Sequence, residues 1–296
     1  PECPVFVVEL SSYQLETTKS LRASSAVILN LTPDHLARHG TMENYGAAKA
    51  MVFMNQGSGD CAILNFDDPL LLKYRNSSGG SQKYFSMYEE VPSGTWMDNS
   101  GMLWYKDNSR NLAVIHSKEL ALPGKHNVAN ALAVICMAAS YGIPPDRLVS
   151  GLKDFPGVPH RIEPLGTARG LIWFNDSKST NVDSLRVALE SFDEKVILIA
   201  GGKEKNSDYS LLNDLIKEKV KSIVLFGSGA NSLAAQWKNT TEISVVGRLE
   251  EAVKTALTVA ENGDSVLLSP GCASFDQYTD FQQRGEHFKK LVQALK

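Results

Sequence analysis

The chain has 296 residues, and its 30 Lys and Arg stand against 33 Asp and Glu for a formal net charge of −3. That balance argues against a nucleic-acid partner, which would call for a basic excess. With 43% hydrophobic and 21% charged residues the chain is neither disordered nor fibrous, and no apolar run approaches the roughly 18 residues of a membrane span.

The sequence opens at Pro1 directly on an apolar run, which reads as a chain entered in mid-domain with a segment missing upstream. Short β-branched runs at 5–8, 26–31 and 61–64 alternate with helix-like stretches such as 42–55, the rhythm of a parallel sheet covered by helices. From 83 to 117, short strand-like pieces separated by Gly, Asn, Ser and Asp carry Trp96, Trp104 and Tyr105. They predict a small antiparallel sheet added to the first domain. A mostly apolar helix is expected at 124–141 and another at 144–155. Pro156-Gly-Val-Pro159 ends that helix and stiffens a linker. Beyond it, strand-like runs at 170–174, 196–200, 222–226, 243–246 and 265–269 are separated by amphipathic stretches at 182–192, 209–219, 231–238 and 249–261. Crossovers of this length give parallel βαβ units and a doubly wound sheet. The expected fold class is therefore α/β. Cys3, Cys61, Cys136 and Cys272 are far apart without a CxxC pair, so neither zinc nor a disulfide framework is indicated, and a reducing compartment is expected.

Ligands of such sheets sit beyond the C-terminal ends of the strands, which singles out the residues just after each run. Glu9 in Glu9-Leu-Ser-Ser12 and His35 in Asn30-Leu-Thr-Pro-Asp-His35 could share a divalent cation with oxygen ligands suited to magnesium, or could be a turn cap and a solvated imidazole. Lys49, in Tyr45-Gly-Ala-Ala-Lys49, matters only if it points back to those strand ends. Asn127 and Asn130 share one face of a first helical turn, where amides either read a base edge or cap the helix. Asn175-Asp-Ser-Lys-Ser-Thr-Asn181 opens a helix after a strand, an anion site to which Lys178 adds charge, and Asp176 could instead take a ribose hydroxyl. Gly201-Gly-Lys-Glu-Lys205 permits close backbone approach and favours a carboxylate or phosphate. Ser269-Pro-Gly-Cys-Ala-Ser-Phe275 forms another anion nest. No G-x-x-x-x-G-K-[ST] loop is present, and Gly227-Ser-Gly229 lacks the third glycine of a dinucleotide fingerprint.

Together these segments, with Arg38-His39, Pro159-His-Arg161 and Arg284-Gly285, resemble the Mur ligase family in family order from end to end of the chain. Glu9-Leu-Ser-Ser-Tyr-Gln and Cys272-Ala-Ser-Phe-Asp-Gln277 resemble its D-glutamate-adding branch. The resemblance implies an ATP-dependent amide ligase that makes peptidoglycan precursors from UDP-MurNAc-L-Ala and D-glutamate through an acyl phosphate. It places Glu9, His35 and Lys49 around Mg2+, with Lys49 carbamylated by CO2, and Ser11 facing the nucleotide-sugar substrate or the phosphoryl group. Asn127 and Asn130 become adenine contacts, Arg161 and Asp176 γ-phosphate and ribose contacts, and Lys178, Thr180, Lys205, Ser274, Phe275 and Phe281 the D-glutamate pocket.

It further implies a partial central ATP-binding domain (1–157), a Rossmann-like D-glutamate-binding domain (158–296) and a monomer in the cytoplasm, or in the plastid stroma of a plant or alga. The family's UDP-binding domain and Gly-rich ATP loop are not among the 296 residues. They are expected upstream or on a separate chain, and little ligase activity is expected without them. Ala37 stands where an acidic residue is common, and Met51-Val52 replaces a more basic pair. The alternatives are a non-catalytic remnant or binding subunit of the same fold, and another amide ligase such as a folylpolyglutamate synthetase.

Overall fold

Successive side chains of a strand point to opposite faces, so a strand apolar on both faces must be covered on both. The computed structural model describes residues 5–122, 124–204 and 207–296, and the chain divides into two compact units between Phe155 and Pro156. In the first unit, β1 (Ser25–Ile28), β2 (Cys61–Asn65), β3 (Ser81–Ser86), β4 (Gly94–Met97), β5 (Met102–Lys106) and β6 (Asn111–His116) form one sheet in sequence order. The first four strands run parallel, and β4, β5 and β6 are antiparallel. The expected small antiparallel sheet is thus not a separate layer. Gly94, Thr95 and Trp96 pair with β3 on one side and with β5 on the other, which fuses the two parts.

Both faces of this sheet are covered. Cys61 and Ile63 pack towards α5 (Lys125–Ser140), while Ala62 and Leu64 join Tyr45, Ala50, Phe53 and Leu71. The shorter helices are α1 (Ser12–Thr17), α2 (Leu36–His39), α3 (Met42–Ala50), α4 (Pro69–Leu72) and α6 (Val149–Asp154). The helix expected at 42–55 stops at Ala50 and tightens into a 3-10 turn over Met51–Phe53. The run at 5–8 forms no strand. Val5, Phe6, Val7 and Val8 are exposed, and among the described residues β1 pairs with β2 alone and no strand pairs with the run.

In the second unit, β7 (Glu163–Ala168) and β8 (Leu171–Asn175) form a hairpin at one edge of a sheet ordered β11-β10-β9-β12-β8-β7. The other strands, β9 (Val196–Gly201), β10 (Val220–Phe226), β11 (Glu242–Val245) and β12 (Ser265–Gly271), are parallel to β8. The helices are α7 (Val182–Glu190), α8 (Asn213–Lys219), α9 (Ala230–Trp237), α10 (Leu249–Val259) and α11 (Phe281–Gln293). Alternation along β9 sends Val196, Leu198 and Ala200 to the face of α7, α8 and α9, and Ile197 and Ile199 to the face of α10 and α11. This is the doubly wound arrangement, and it places the ends of β8, β9 and β12 side by side.

Leu198 is fully buried at the centre of the first of those faces. Leu198→Ala is expected to destabilise the second unit by about 3 kcal/mol, read as a lower midpoint in chemical denaturation at unchanged slope.

Candidate active site

Two clusters lie at strand ends, one in each unit. In the first, the segment after β1 turns at His35, which adopts a left-handed conformation with φ 55°. Its backbone N–H donates to Asp34 Oδ1 at 2.8 Å, and its ring lies 3.6 Å from the same oxygen. The ring also meets Tyr13 edge-on at 5.0 Å between centroids.

Lys49, on the last turn of α3, is half-buried with its Nζ 5.2 Å from the centroid of the Tyr45 ring. Burial lowers the affinity of this amine for its proton, and the Asp34 and Glu9 carboxylates act in the opposite sense. Burial, with Asp34 and Tyr13 nearby, pushes the Tyr45 hydroxyl up to about 12. Lys49, Glu9, Asp34 and His35 therefore form one electrostatic neighbourhood.

A polar knot holds α1 against α2. His39 is buried, with Nε2 3.0 Å from Ser12 Oγ and Nδ1 3.2 Å from Glu16 Oε1. Arg38 donates from Nε and Nη2 to Glu16 Oε2 at 2.9 and 2.8 Å. Ser11 is the N-cap of α1: its Oγ accepts from the Gln14 N–H, and Gln14 Oε1 accepts from the Ser11 N–H. The first turn of α5, which carries the half-buried Asn127 and the exposed Asn130, starts at Gly124 with no side-chain cap.

The second cluster is built on the ends of β8 and β12. Asp176 is buried; its Oδ2 accepts from Ser269 Oγ at 2.7 Å and its Oδ1 from the Ile162 N–H at 3.2 Å. Burial raises its carboxyl to about 7, against the pull of those hydrogen bonds and of the Arg161 and Arg284 charges.

Arg161 lies on an unusual turn. Its neighbours His160 and Ile162 both have positive φ, 66° and 44°, and for a β-branched residue such as Ile162 that is a strained conformation. The turn is held from several sides. Glu163 Oε2 accepts from the His160 N–H at 3.0 Å, and Asn175 Nδ2 lies 3.0 Å from His160 Nδ1. Asn175 Oδ1 accepts from the Ser177 N–H, which orients its amide to donate to the imidazole. A Cβ on Gly285 would stand 2.2 Å from His160 Nδ1, so α11 approaches the ring as closely as glycine permits.

Lys178 is half-buried with its Nζ 5.5 Å from the centroid of the Phe281 ring, a cation–π geometry. Asn181, at the end of the same segment, caps α7 through a capping box with Ser184, whereas Lys178 and Thr180 take no part in that cap. Ser274 is buried and Phe275 is 67% exposed on the loop after β12. That loop is joined to the β9 loop by hydrogen bonds between Lys203 and Ala273, in both directions, at 2.7 and 3.1 Å. Lys205 lies outside the described residues.

The structure thus brings Lys49 near Glu9 and His35, and Asp176 near Arg161, and places Lys178 on Phe281. Sequence reasoning assigned no role to Asp34, Tyr45, His39 or Arg284. Arg284 had a readable signal, since Phe281, Arg284, Gly285, Phe288 and Val292 recur at helical spacing and put a charge on an otherwise core-facing stripe. Among the described residues no three His, Cys, Asp or Glu side chains converge closely enough to hold a metal ion.

Residues 1–138 match the Mur ligase middle domain, and residues 160–272 match the Mur ligase glutamate ligase domain. The chain belongs to the Mur ligase family. This Mur ligase chain is 44% identical, over 99% of its length, to the UDP-N-acetylmuramoylalanine--D-glutamate ligase of Pelotomaculum thermopropionicum. It is 41% identical over 98% to that of Koribacter versatilis, and it spans 64% and 63% of the lengths of these two relatives. Solved Mur ligase structures share its fold. MurF from Acinetobacter baumannii gives a TM-score of 0.68 at 18% identity, covering 90% of this chain and 60% of that one. FolC of E. coli in complex with DHPP and ADP gives 0.65 at 16% identity, covering 92% and 62%.

The Asp176 carboxyl yields a pH prediction. Its value in the fold lies above the ordinary one, so the fold favours the protonated form. That contribution is fully present below about pH 4 and is lost as pH rises through about 7, amounting at most to roughly 4 kcal/mol. Asp176→Asn, which mimics the protonated acid, is expected to flatten the fall in thermal midpoint over this window relative to the wild type.

Proposed function

We propose that this chain carries the lysine–carboxylate site and the acceptor pocket of an ADP-forming ligase that joins D-glutamate to UDP-N-acetylmuramoyl-L-alanine. The observation that carries this reading is the 44% identity, along 99% of the chain, to a protein named for that reaction. ATP as phosphoryl donor is supported by the ADP in the similarly folded FolC structure.

In the first step a carboxylate oxygen of the alanyl group attacks the γ-phosphorus, and the bond to the ADP oxygen breaks. In the second, the D-glutamate amine attacks the acyl carbonyl carbon, phosphate leaves, and the amine gives up a proton. Both steps bring anions together, so the chain's task is to hold and offset negative charge. Arg161, presented by its left-handed turn, faces the phosphates, with Asp176 at the ribose and Asn127 and Asn130 at the adenine. Lys178, Thr180, Lys205, Ser274, Phe275 and Phe281 form the D-glutamate pocket, where cations and helix N-termini meet two carboxylates. Ser11 faces the nucleotide-sugar or the phosphoryl group.

The Lys49 amine, whose proton affinity burial lowers, is the one CO2 would carboxylate, with loss of a proton. The resulting carbamate, with Glu9 and His35, would make the donor set for Mg2+. A divalent cation there supplies charge neutralisation to phosphoryl oxygens. We further propose that the protein acts as a monomer.

The test is phosphate release with ATP, magnesium, bicarbonate, UDP-MurNAc-L-Ala and D-glutamate, for this chain beside a version extended upstream. The expected result is turnover by the extended form that requires D-glutamate. Preference for L-glutamate would favour a folylpolyglutamate-type ligase, and silence of both forms a non-catalytic remnant. In the active form, Lys49→Ala is expected to lower kcat by about a hundredfold or more. The carbamate carbon that wild-type protein shows by NMR under labelled CO2 should also vanish.

A further inference from the structure

The guanidinium of Arg284 is the largest charged group fully buried in the described structure. Burial pulls its proton affinity down to about 10, the direction expected when a cation leaves water. None of its hydrogen bonds goes to a carboxylate. Nε donates to Ser177 Oγ at 3.0 Å, Nη2 to the Ser177 carbonyl at 2.8 Å, and Nη1 to the Cys272 carbonyl at 3.1 Å. Ser177 Oγ in turn donates to the Phe281 carbonyl at 2.8 Å. Asp276 and Asp176 act on the guanidinium only through longer-range attraction.

A buried arginine without a salt-bridge partner is costly, and replacement by a well-packed apolar side chain is often neutral or better for stability. Fold stability alone therefore does not account for it. What the fork accomplishes is geometric. It joins the segment after β8, the segment after β12 and the start of α11 through a planar group whose donors have fixed directions. Ser177 adjoins Lys178 and lies three residues before Thr180, Cys272 lies two residues before Ser274, and Phe281 opens the helix. The three anchor points are thus the three stretches of chain that carry the proposed D-glutamate pocket.

We propose that Arg284, with Ser177 as its relay, is a positioning residue that sets the spacing of the acceptor pocket by clamping these three segments together. The proposal rests on the pocket assigned above, although the clamp itself can be tested without it. A side chain on a helix leans towards the N-terminus, so Arg284 reaches back over the first turn of α11 to the strand ends. A lysine keeps the charge but has neither the plane nor the spread of donors. Ser177→Ala leaves the arginine and its two carbonyl acceptors in place and removes the hydroxyl that accepts from Nε and donates to the Phe281 carbonyl.

The experiment uses the protein as its gene encodes it, in wild-type, Arg284→Lys and Ser177→Ala forms. Amide hydrogen exchange comes first. The clamp predicts that protection falls in both variants at 177–181 and at 272–275 together, while the interiors of β9 and β10 keep theirs. Unchanged exchange at those two segments overturns the proposal, whether or not the protein shows ligase activity. Steady-state kinetics come second, on a wild type that turns over with D-glutamate. The expected result is a KM for D-glutamate raised about tenfold, with the KM for ATP within about twofold. A loss confined to kcat, or one shared equally by both substrates, assigns Arg284 a purely structural role and overturns the positioning claim.

Discussion

Parallel pairing on both sides of β12 is the constraint on which the second unit depends. Because β12 lies between β8 and β9 and runs in the same direction as both, three separate loops must leave the sheet at the same edge. Leu268 pairs with Asn175 on one side and with Ile199 on the other, so the polar residues that follow emerge within one or two residues of each other. A small shift in register, the bulge between Leu268 and Gly271, aligns Gly271 with Gly201 at the rim. At Gly201 a side chain would collide with the Phe226 carbonyl, which is why the tightest point of this rim is glycine.

Around that rim, ionisable groups are withdrawn from water to different degrees, and each withdrawal has a chemical consequence. Asp176 holds its proton more tightly than an exposed carboxyl, because desolvation outweighs two hydrogen bonds and two neighbouring cations. In the other unit Lys49 shows the complementary effect: an amine that gives up its proton more readily becomes a better nucleophile. The left-handed turn at His160 and Ile162 belongs to the same pattern. Strain of this kind persists only where surrounding contacts over-determine it, and here Glu163, Asn175, Asp176 and the bare face of Gly285 do so.

The α/β class and the second-unit strands were legible because buried parallel strands are written as uninterrupted apolar runs between amphipathic stretches. The run at 196–200 is the clearest case, and Val196–Gly201 is buried at every position. Less legible were elements whose existence depends on a distant partner. The hairpin strand Glu163–Ala168 carries Pro164 and Gly166 and looks unlike a strand until β8 pairs with it. The run at 5–8 shows the opposite failure, strong strand propensity with nothing to pair to. Among candidate site residues, motif spacing pointed to Lys178 and Asp176 but not to Asp34, which meets Lys49 only through the tertiary fold; Tyr45, one helical turn before Lys49 on α3, was within reach of spacing. Nor does spacing alone reveal that an arginine on a core stripe will find carbonyls instead of carboxylates.

The unpaired run at 5–8 bears on how the isolated chain behaves in solution. Val5, Phe6, Val7 and Val8 are β-branched or aromatic, carry no charge, and are between 58% and 89% exposed, while β1 has no second strand neighbour among the described residues. Such a combination favours strand addition between molecules, since each copy presents both an exposed apolar run of high strand propensity and a sheet edge to receive one. An acidic or lysine substitution at Val5, four residues before Glu9, would interrupt the run and disfavour such pairing.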